Sequence, residues 1–319
     1  MKMKGYILAA VFAFMLSFVF CWILIPILRK MKAGQNILAY VKEHKAKGGT
    51  PTMGGIAFLS AAVLSTAVFA KRGAGHLVIC LAIGIAYMVV GLTDDFLKKK
   101  RKENLGLKAW QKLLFQLFIA VFAGIYCARH GLTVLYLPFL NKRVDVGLWI
   151  VPLAVFVFIA TVNAVNLTDG LDGLAAGVSA PFFATLGIVI LLQGESLGLP
   201  VLCFSLVGAL LAYLLFNVSP ASVFMGDTGS LSLGGFAASI ALFSGNTLYI
   251  PIVGACFVFS VISVIIQVIY YKATGGKRIF LMAPAHHHFQ EKGYSESQIS
   301  YGYFVVTALL GAISIICLL

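Results

Sequence analysis

The sequence predicts an all-α, polytopic integral membrane protein, and composition, run length and charge distribution together lead to this class. Of the 319 residues, 61% are hydrophobic and only 11% are charged, and the mean hydropathy is +0.98. Such values lie far outside the range of water-soluble domains. About ten apolar runs approach the roughly 20 residues with which a helix crosses a bilayer. Because neither a soluble domain nor a linker interrupts the pattern, we expect one transmembrane domain over residues 1–319.

The apolar runs define about ten predicted transmembrane helices. They lie at about 5–28, 53–70, 76–93, 109–128, 148–166, 174–193, 199–216, 230–244, 249–271 and 300–319. The eighth run is short and rich in glycine. Between the fourth and fifth runs, the segment TVLYLPFLNKRVDVG alternates in polarity, which predicts a short β-hairpin.

Basic residues assign the two sides of the membrane. Most of the 24 lysines and arginines fall in the connections that follow odd-numbered runs, including the cluster at 98–102. The positive-inside rule makes these connections cytoplasmic and both termini external. The net charge of +13 therefore reflects the excess of basic residues in the cytoplasmic connections. It favours an anionic lipid or substrate over nucleic acid as the partner. The six cysteines are dispersed among the runs, which is typical of small buried hydrophobes.

Acidic residues concentrate at the predicted cytoplasmic ends of the helices. Asp94 and Asp95 stand in GLTDDF, Asp169 and Asp172 in NAVNLTDGLDGLA, and Asp227 in MGDTGS. Asp172 and Asp227 precede apolar runs, so each is also a candidate N-cap. Asp94 and Asp95 are expected to end a helix, where the macrodipole disfavours negative charge, and the cations that follow offer local neutralisation as an alternative. Convergence of three connections on one face favours a functional site.

The residue types in this predicted site indicate phosphoryl transfer. Carboxylates with few nitrogen or sulfur ligands select a hard cation such as Mg2+. Successive helical residues point about 100° apart, so we expect one of Asp94 and Asp95 to face the site and the other to pair with a cation such as Lys98. The histidine triplet of APAHHHFQEKGY, in an extended loop, would direct His286 and His288 to the same side. A metal, cations and membrane depth together predict a lipid phosphate as one reactant.

Five segments resemble a known family over essentially the whole chain. KGGTPTMGG, GLTDDFLK, NAVNLTDGLDGLA, NVSPASVFMGDTGS and APAHHHFQEKGY occur in the family's order. The chain resembles the polyprenyl-phosphate N-acetylhexosamine-1-phosphate transferases, and within them the phospho-N-acetylmuramoyl-pentapeptide branch. Gln290 and Tyr294 depart from the branch pattern, which has Glu and Trp there, and this weakens any role for those two positions.

The resemblance implies transfer of phospho-MurNAc-pentapeptide from its UDP carrier to undecaprenyl phosphate, with lipid I and UMP as products, in peptidoglycan biosynthesis at a bacterial plasma membrane. It implies Mg2+ held by Asp227, a reacting diphosphate flanked by Asp94 and Asp95, and a homodimer. Asp94 would be a base or position the phosphate, and His286 would line the diphosphate region. The implied substrate-binding residues are Lys47, Thr52, Lys98, Lys112, Asn163, Asn166, Asp169, Asp172, Asn217, Phe224 (on uracil), Gly226, Gln267, His287 and His288.

Alternatives remain open at this point. A sister transferase would use UDP-N-acetylglucosamine, although the histidine-triplet segment argues against it. A secondary transporter is the alternative outside enzymes, but its site would lie near mid-membrane between repeated halves, and no repeat is visible in this sequence. The acceptor phosphate monoester is largely dianionic at neutral pH, so direct in-line attack is favoured over a covalent aspartyl-phosphate.

Overall fold

The part of the chain that the structure describes is a helical bundle with a small hairpin. The computed structural model describes residues 3–31, 49–70, 75–101, 106–140, 142–194 and 198–319. The helices are α1 (Met3–Lys30), α2 (Gly55–Phe69), α3 (Gly75–Arg101), α4 (Ala109–Arg129), α5 (Ile150–Thr168), α6 (Leu174–Leu192), α7 (Leu199–Asn217), α8 (Gly226–Phe243), α9 (Tyr249–Val253), α10 (Ala255–Ala273), α11 (Ala285–Glu291) and α12 (Glu296–Ile316). Strands β1 (Val134–Leu137) and β2 (Lys142–Asp145) pair antiparallel, which confirms the predicted hairpin.

Within the described residues, eight helices are long and apolar enough to cross a membrane, namely α1, α3 to α7, α10 and α12. The chain is therefore a multi-pass membrane protein. The second and eighth predicted runs are also helical and form α2, with only 15 residues, and α8. The ninth run is broken at Gly254 into α9 and α10. A count of ten spans and the external position of the termini stay predictions.

Helix α8 lies at the centre of the bundle, packed against α3 and α5. Every residue from 228 to 243 is buried, which explains its composition of glycine, alanine and serine. A Cβ atom at Gly234 would collide with the backbone of Val162, and one at Gly235 would collide with the ring of Tyr87. These two glycines therefore permit close helix packing. The outer helices α1, α4 and α10 present large apolar side chains outward.

Three sequence-based expectations are wrong. Asp94 and Asp95 do not end α3, because the helix continues through the basic cluster to Arg101. Neither Asp172 nor Asp227 is an N-cap, since these positions are taken by Gly173 and Met225. The histidine triplet is not extended, because it forms the first turns of α11.

Candidate active site

Three aspartates from two helices meet at one end of the bundle. Asp94 and Asp95 lie on α3, seven and six residues before its end, and Asp227 lies in the first turn of α8. Each of the three offers a carboxylate oxygen within 4.8 Å of the other two. Asp94 is fully buried and Asp95 nearly so. The approach is possible because Gly91 brings α3 against the backbone of Asp227, where a Cβ atom would collide.

Two lysines neutralise most of this negative charge. The Lys98 ammonium group lies 2.7 Å from Asp94 Oδ2 and 3.2 Å from Asp227 Oδ2. Lys112, near the start of α4, lies 3.0 Å from Asp94 Oδ1 and 2.5 Å from Asp227 Oδ2. The backbone N–H of Leu107 donates a further hydrogen bond to Asp94 Oδ1 at 2.7 Å. The expectation that one aspartate of the pair contacts Lys98 is therefore confirmed, and that residue is Asp94.

The other aspartate of the adjacent pair, Asp95, accepts hydrogen bonds at the N-terminus of α8. Its Oδ1 accepts a hydrogen bond from the N–H of Asp227 at 3.2 Å, and its Oδ2 accepts from the N–H and the hydroxyl group of Thr228 at 3.0 and 2.7 Å. The first N–H groups of a helix lack partners within the helix itself, so Asp95 acts as a cap supplied by another helix. Gly226 has a φ of +69° and leaves room for the Asp95 carboxylate.

The ligand atoms of this cluster suit a hard divalent cation. Carboxylate oxygens dominate, and no cysteine or histidine of the described chain joins the acidic group. Asp227 also accepts a hydrogen bond from the Asn166 amide at 3.1 Å, and that amide reaches Ser230 at 2.9 Å. Asp227 and Asp94 are the residues best placed to hold a metal, because their oxygens face mobile lysine side chains, whereas those of Asp95 accept backbone hydrogen bonds from α8.

The TPTMGG segment packs against the connection that leads into α8. Phe224 N–H donates to the Pro51 carbonyl at 2.8 Å, and Gly54 and Gly55 donate to the carbonyls of Phe224 and Met225. Thr52 is buried beside Gly226. The structure thus brings Thr52, Phe224 and Gly226 together with the acidic cluster.

The connection between α5 and α6 forms another wall. Asp172 Oδ2 accepts a hydrogen bond from Ala221 N–H at 3.1 Å, and Asn217 Oδ1 accepts from Gly173 N–H at 3.1 Å. Enclosure by protein atoms raises the pKa of Asp169 well above its usual range, and the negative charges of Asp227 and Asp95 raise it further. This carboxyl group is therefore disposed to carry a proton. Asp172 and Asn217 tie this connection to the residues between α7 and α8.

The three histidines of α11 point in different directions. His286 is completely buried, and Gly170 leaves space for its Nε2 atom. Neither ring nitrogen of His286 has a hydrogen-bond partner among the described residues, and burial lowers its pKa to about 3. His287 Nδ1 contacts Gln290 at 2.8 Å, and His288 Nδ1 accepts from Leu281 N–H at 3.1 Å.

Two predicted site residues make other contacts, and one lies outside the described chain. Gln267 bonds through its amide to the backbone of Ile279 and Phe280 and so holds the connection after α10. Asn163 pairs with Gln116, a buried α4 residue one turn beyond Lys112 that sequence reasoning missed. The signal available in the sequence was a polar residue, Gln116, within the apolar run of α4. Lys47 lies outside the described residues.

Comparison with known proteins shows that this cluster of carboxylates and lysines belongs to a transferase. The sequence model of the family described as glycosyl transferase family 4 matches residues 77–245, which include Asp94, Asp95 and Asp227. Relatives named phospho-N-acetylmuramoyl-pentapeptide-transferase match almost the entire chain.

Among these relatives, the protein of Clostridium perfringens strain SM101 is 42% identical over 304 residues, which cover 95% of this chain and 94% of the relative. That of Caldanaerobacter subterraneus subsp. tengcongensis is 44% identical over 307 residues, with 94% and 95% coverage. That of Listeria monocytogenes strain EGD-e is 40% identical over 323 residues, with 99% of both chains covered. The chain belongs to the phospho-N-acetylmuramoyl-pentapeptide transferase family.

Proposed function

We propose that this enzyme transfers phospho-MurNAc-pentapeptide from UDP-MurNAc-pentapeptide to undecaprenyl phosphate, which yields lipid I and UMP for peptidoglycan synthesis. Membership of the family supports the reaction, and relatives at 40 to 44% identity carry its name. The single observation that carries the proposal is the contact of Asp94 and Asp227 with both Lys98 and Lys112. Acidic groups for a metal and ammonium groups for phosphates thereby occupy one small volume.

The cofactor that suits this cluster is Mg2+, with Asp227 as its principal ligand and Asp94 beside it. When bound, the ion would neutralise charge on the transferred phosphoryl group. Both ammonium groups contact Asp227 Oδ2, and each contacts one of the two carboxylate oxygens of Asp94. Lys98 and Lys112 are therefore close enough to contact substrate phosphates while they remain near their aspartates.

The chemical step is an in-line displacement at the β-phosphorus of the nucleotide sugar. A phosphate oxygen of undecaprenyl phosphate forms the new bond to that phosphorus, and the bond to the bridging oxygen of UMP breaks. UMP leaves with the electron pair. The acceptor is largely dianionic at neutral pH, so no proton has to be removed before attack. Asp94 orients the acceptor and takes up a residual proton when one is present.

The remaining residues bind the donor. Asp169, Asp172, Asn217 and Phe224 form the nucleoside pocket, and the phosphates lie toward the histidines of α11. His286, held neutral by burial, can donate from one ring nitrogen only. The surroundings of the donor also include Thr52, Asn163, Asn166, Gly226 and Gln267. His287 and His288 lie beside these residues. The lipid tail stays in the bilayer between helices.

The active site is proposed to face the cytoplasm of a bacterial cell across its inner membrane. The positive-inside rule supports this orientation, since the basic cluster that ends α3 adjoins the carboxylates. A soluble nucleotide donor is available on that side. A homodimer stays a prediction from family resemblance.

Release of UMP by detergent-purified protein tests the proposal. The assay supplies undecaprenyl phosphate with either UDP-MurNAc-pentapeptide or UDP-N-acetylglucosamine. Lipid-dependent UMP from the first donor alone is the expected result. Release from the second donor alone would move the protein to the sister reaction, and no release from either, in folded protein, would overturn the assignment.

A further inference from the structure

A chain of hydrogen bonds joins the histidine helix to the wall of the proposed donor pocket. Gln290, in the last turn of α11, is only 7% exposed. Its Oε1 lies 2.8 Å from His287 Nδ1, and its Nε2 donates to Glu296 Oε1 at 3.3 Å. Glu296 begins α12, and its Oε2 accepts from the backbone N–H of Asp172 at 3.0 Å. One buried amide thus connects a histidine with a carboxylate.

In this protein, which has Gln where the branch pattern has Glu, the neighbours of position 290 favour an amide. Glu296 presents only acceptor oxygens, so the NH2 group of Gln290 has to face it. The carbonyl oxygen of Gln290 then faces His287 and needs an N–H from Nδ1. This arrangement selects the His287 tautomer that carries its proton on Nδ1 and leaves Nε2 to act as an acceptor in the neutral ring. A carboxylate at position 290 would meet the carboxylate of Glu296.

The hydrogen bonds continue beyond Asp172 to the residues before α8. Ser300 Oγ donates to the Asp172 carbonyl at 2.8 Å, and the Asp172 side chain accepts from Ala221. Asn217 joins Gly173 to Val223 by two hydrogen bonds of 3.1 and 2.9 Å. The position of His287 is therefore linked to the connections that form the proposed nucleoside pocket.

We propose that Gln290 and Glu296 are positioning residues for the nucleotide-sugar donor: they set the tautomer of His287 and tie α11 to the Asp172 connection. This inference rests on the proposed function, because His287 and Asp172 border the donor there. The acceptor lipid makes no contact with this chain of bonds in that scheme. Disruption should therefore raise the KM for the donor and leave the KM for undecaprenyl phosphate unchanged.

An exchange of the two side chains supplies the test. Gln290→Glu alone opposes two carboxylates. Glu296→Gln alone keeps its bond from Asp172 N–H only if its NH2 group faces Gln290. That orientation turns the Gln290 amide around and reverses the tautomer of His287. The double variant restores every bond, since the amide at position 296 can donate to position 290 and accept from Asp172. We expect each single variant to raise the donor KM roughly tenfold, as loss of one buried hydrogen bond does, with a smaller change in kcat. The double variant should return within about twofold of wild type.

Controls separate this inference from fold and from the proposed function. Glu291→Gln changes an exposed neighbour outside the network and should leave the donor KM unchanged. If Gln290→Glu fails to fold, Gln290→Met removes the same bonds without adding charge and should give the same tenfold rise. Wild-type donor KM in the single variants, or no recovery in the double variant, would overturn the inference alone. Absence of UMP release from wild type would remove the proposed function and this inference with it.

Discussion

At the scale of residues, the two adjacent aspartates make different contacts. Asp94 carries both lysine contacts and a backbone hydrogen bond, whereas Asp95 is fully engaged by the first turn of α8. Successive positions on a helix face different directions, so the two carboxylates cannot contact the same partners. The sequence predicted that the two would differ and that one would contact Lys98, but it assigned the Lys98 contact and the site-facing position to different residues, whereas Asp94 has both. It did not predict that Asp95 would bond to backbone N–H groups, because that contact depends on how α3 and α8 pack.

Replacement of Asp95 should therefore reduce stability as well as activity. Asp95→Ala leaves the N–H groups of Asp227 and Thr228 buried without their acceptor, which costs about 2 kcal/mol. We expect a lower Tm in detergent, with Asp95→Asn between the alanine variant and wild type. Asp145→Ala, which removes an exposed hairpin contact, is the matched control and should change little. A wild-type Tm for Asp95→Ala would contradict the capping role.

The pH dependence of stability should report on His286. Its pKa of about 3 in the folded protein lies below the ordinary value of about 6.5, so protons bind the unfolded chain more tightly. The contribution of neutral His286 is fully present above about pH 6.5 and is lost as the pH falls toward 3. Between pH 7 and pH 5 this loss amounts to roughly 2 kcal/mol. Thermal unfolding of His286→Gln should show that much less acid sensitivity, and an unchanged pH dependence would contradict a buried neutral imidazole.

At the scale of elements, α8 explains why hydropathy alone was a poor guide. Its run is the shortest and most glycine-rich of the predicted spans, yet it is the most completely buried helix described. A helix surrounded by other helices needs small side chains for close approach, and it needs no lipid-facing leucines. The break at Gly254 and the extension of α3 into the basic cluster were not predictable either, since both depend on contacts between helices.

A methyl group at Gly91 should separate α3 from α8. The added Cβ of Gly91→Ala would collide with the Asp227 carbonyl, so we expect a loss of about 1–3 kcal/mol in stability and a steeper loss of UMP release. Gly302→Ala on α12 is the control, because no atom lies within 4 Å of its added Cβ. Because alanine has a higher helix propensity than glycine, Gly302→Ala should be as stable as wild type or more stable by up to about 1 kcal/mol. Equal activity in both variants would contradict the close α3–α8 contact as a requirement of the site.

At the scale of the whole molecule, charge distribution and motif order predicted the class of protein and the acidic residues of the candidate site. Asp94, Asp169 and Asp227 were predicted to converge because their connections lie on one side of the membrane. The network of Gln290, Glu296 and Asp172 was not, since it joins backbone and side-chain atoms that no spacing in the sequence relates. Family resemblance weakened any role for position 290, where the three-dimensional arrangement now supports one.

The predicted orientation can be measured by cysteine labelling in a Cys317→Ser background, because the other native cysteines are buried. Arg143→Cys lies on exposed β2, and Lys277→Cys lies exposed between α10 and α11. A membrane-impermeant maleimide should label position 143 in spheroplasts and position 277 only after permeabilisation. The reverse pattern would put the carboxylate cluster on the external side and contradict the proposed orientation.

The central claim is that the cluster around Asp227 performs metal-assisted phosphoryl transfer. Its most direct test is the rate of UMP release from UDP-MurNAc-pentapeptide and undecaprenyl phosphate over a range of Mg2+ concentrations, for wild type and Asp227→Asn. We predict that the wild-type rate rises with Mg2+ and is abolished by chelation. The variant, with an unchanged fold by thermal unfolding, should be at least about a hundredfold slower at every Mg2+ concentration. Near-wild-type turnover by folded Asp227→Asn would contradict the account.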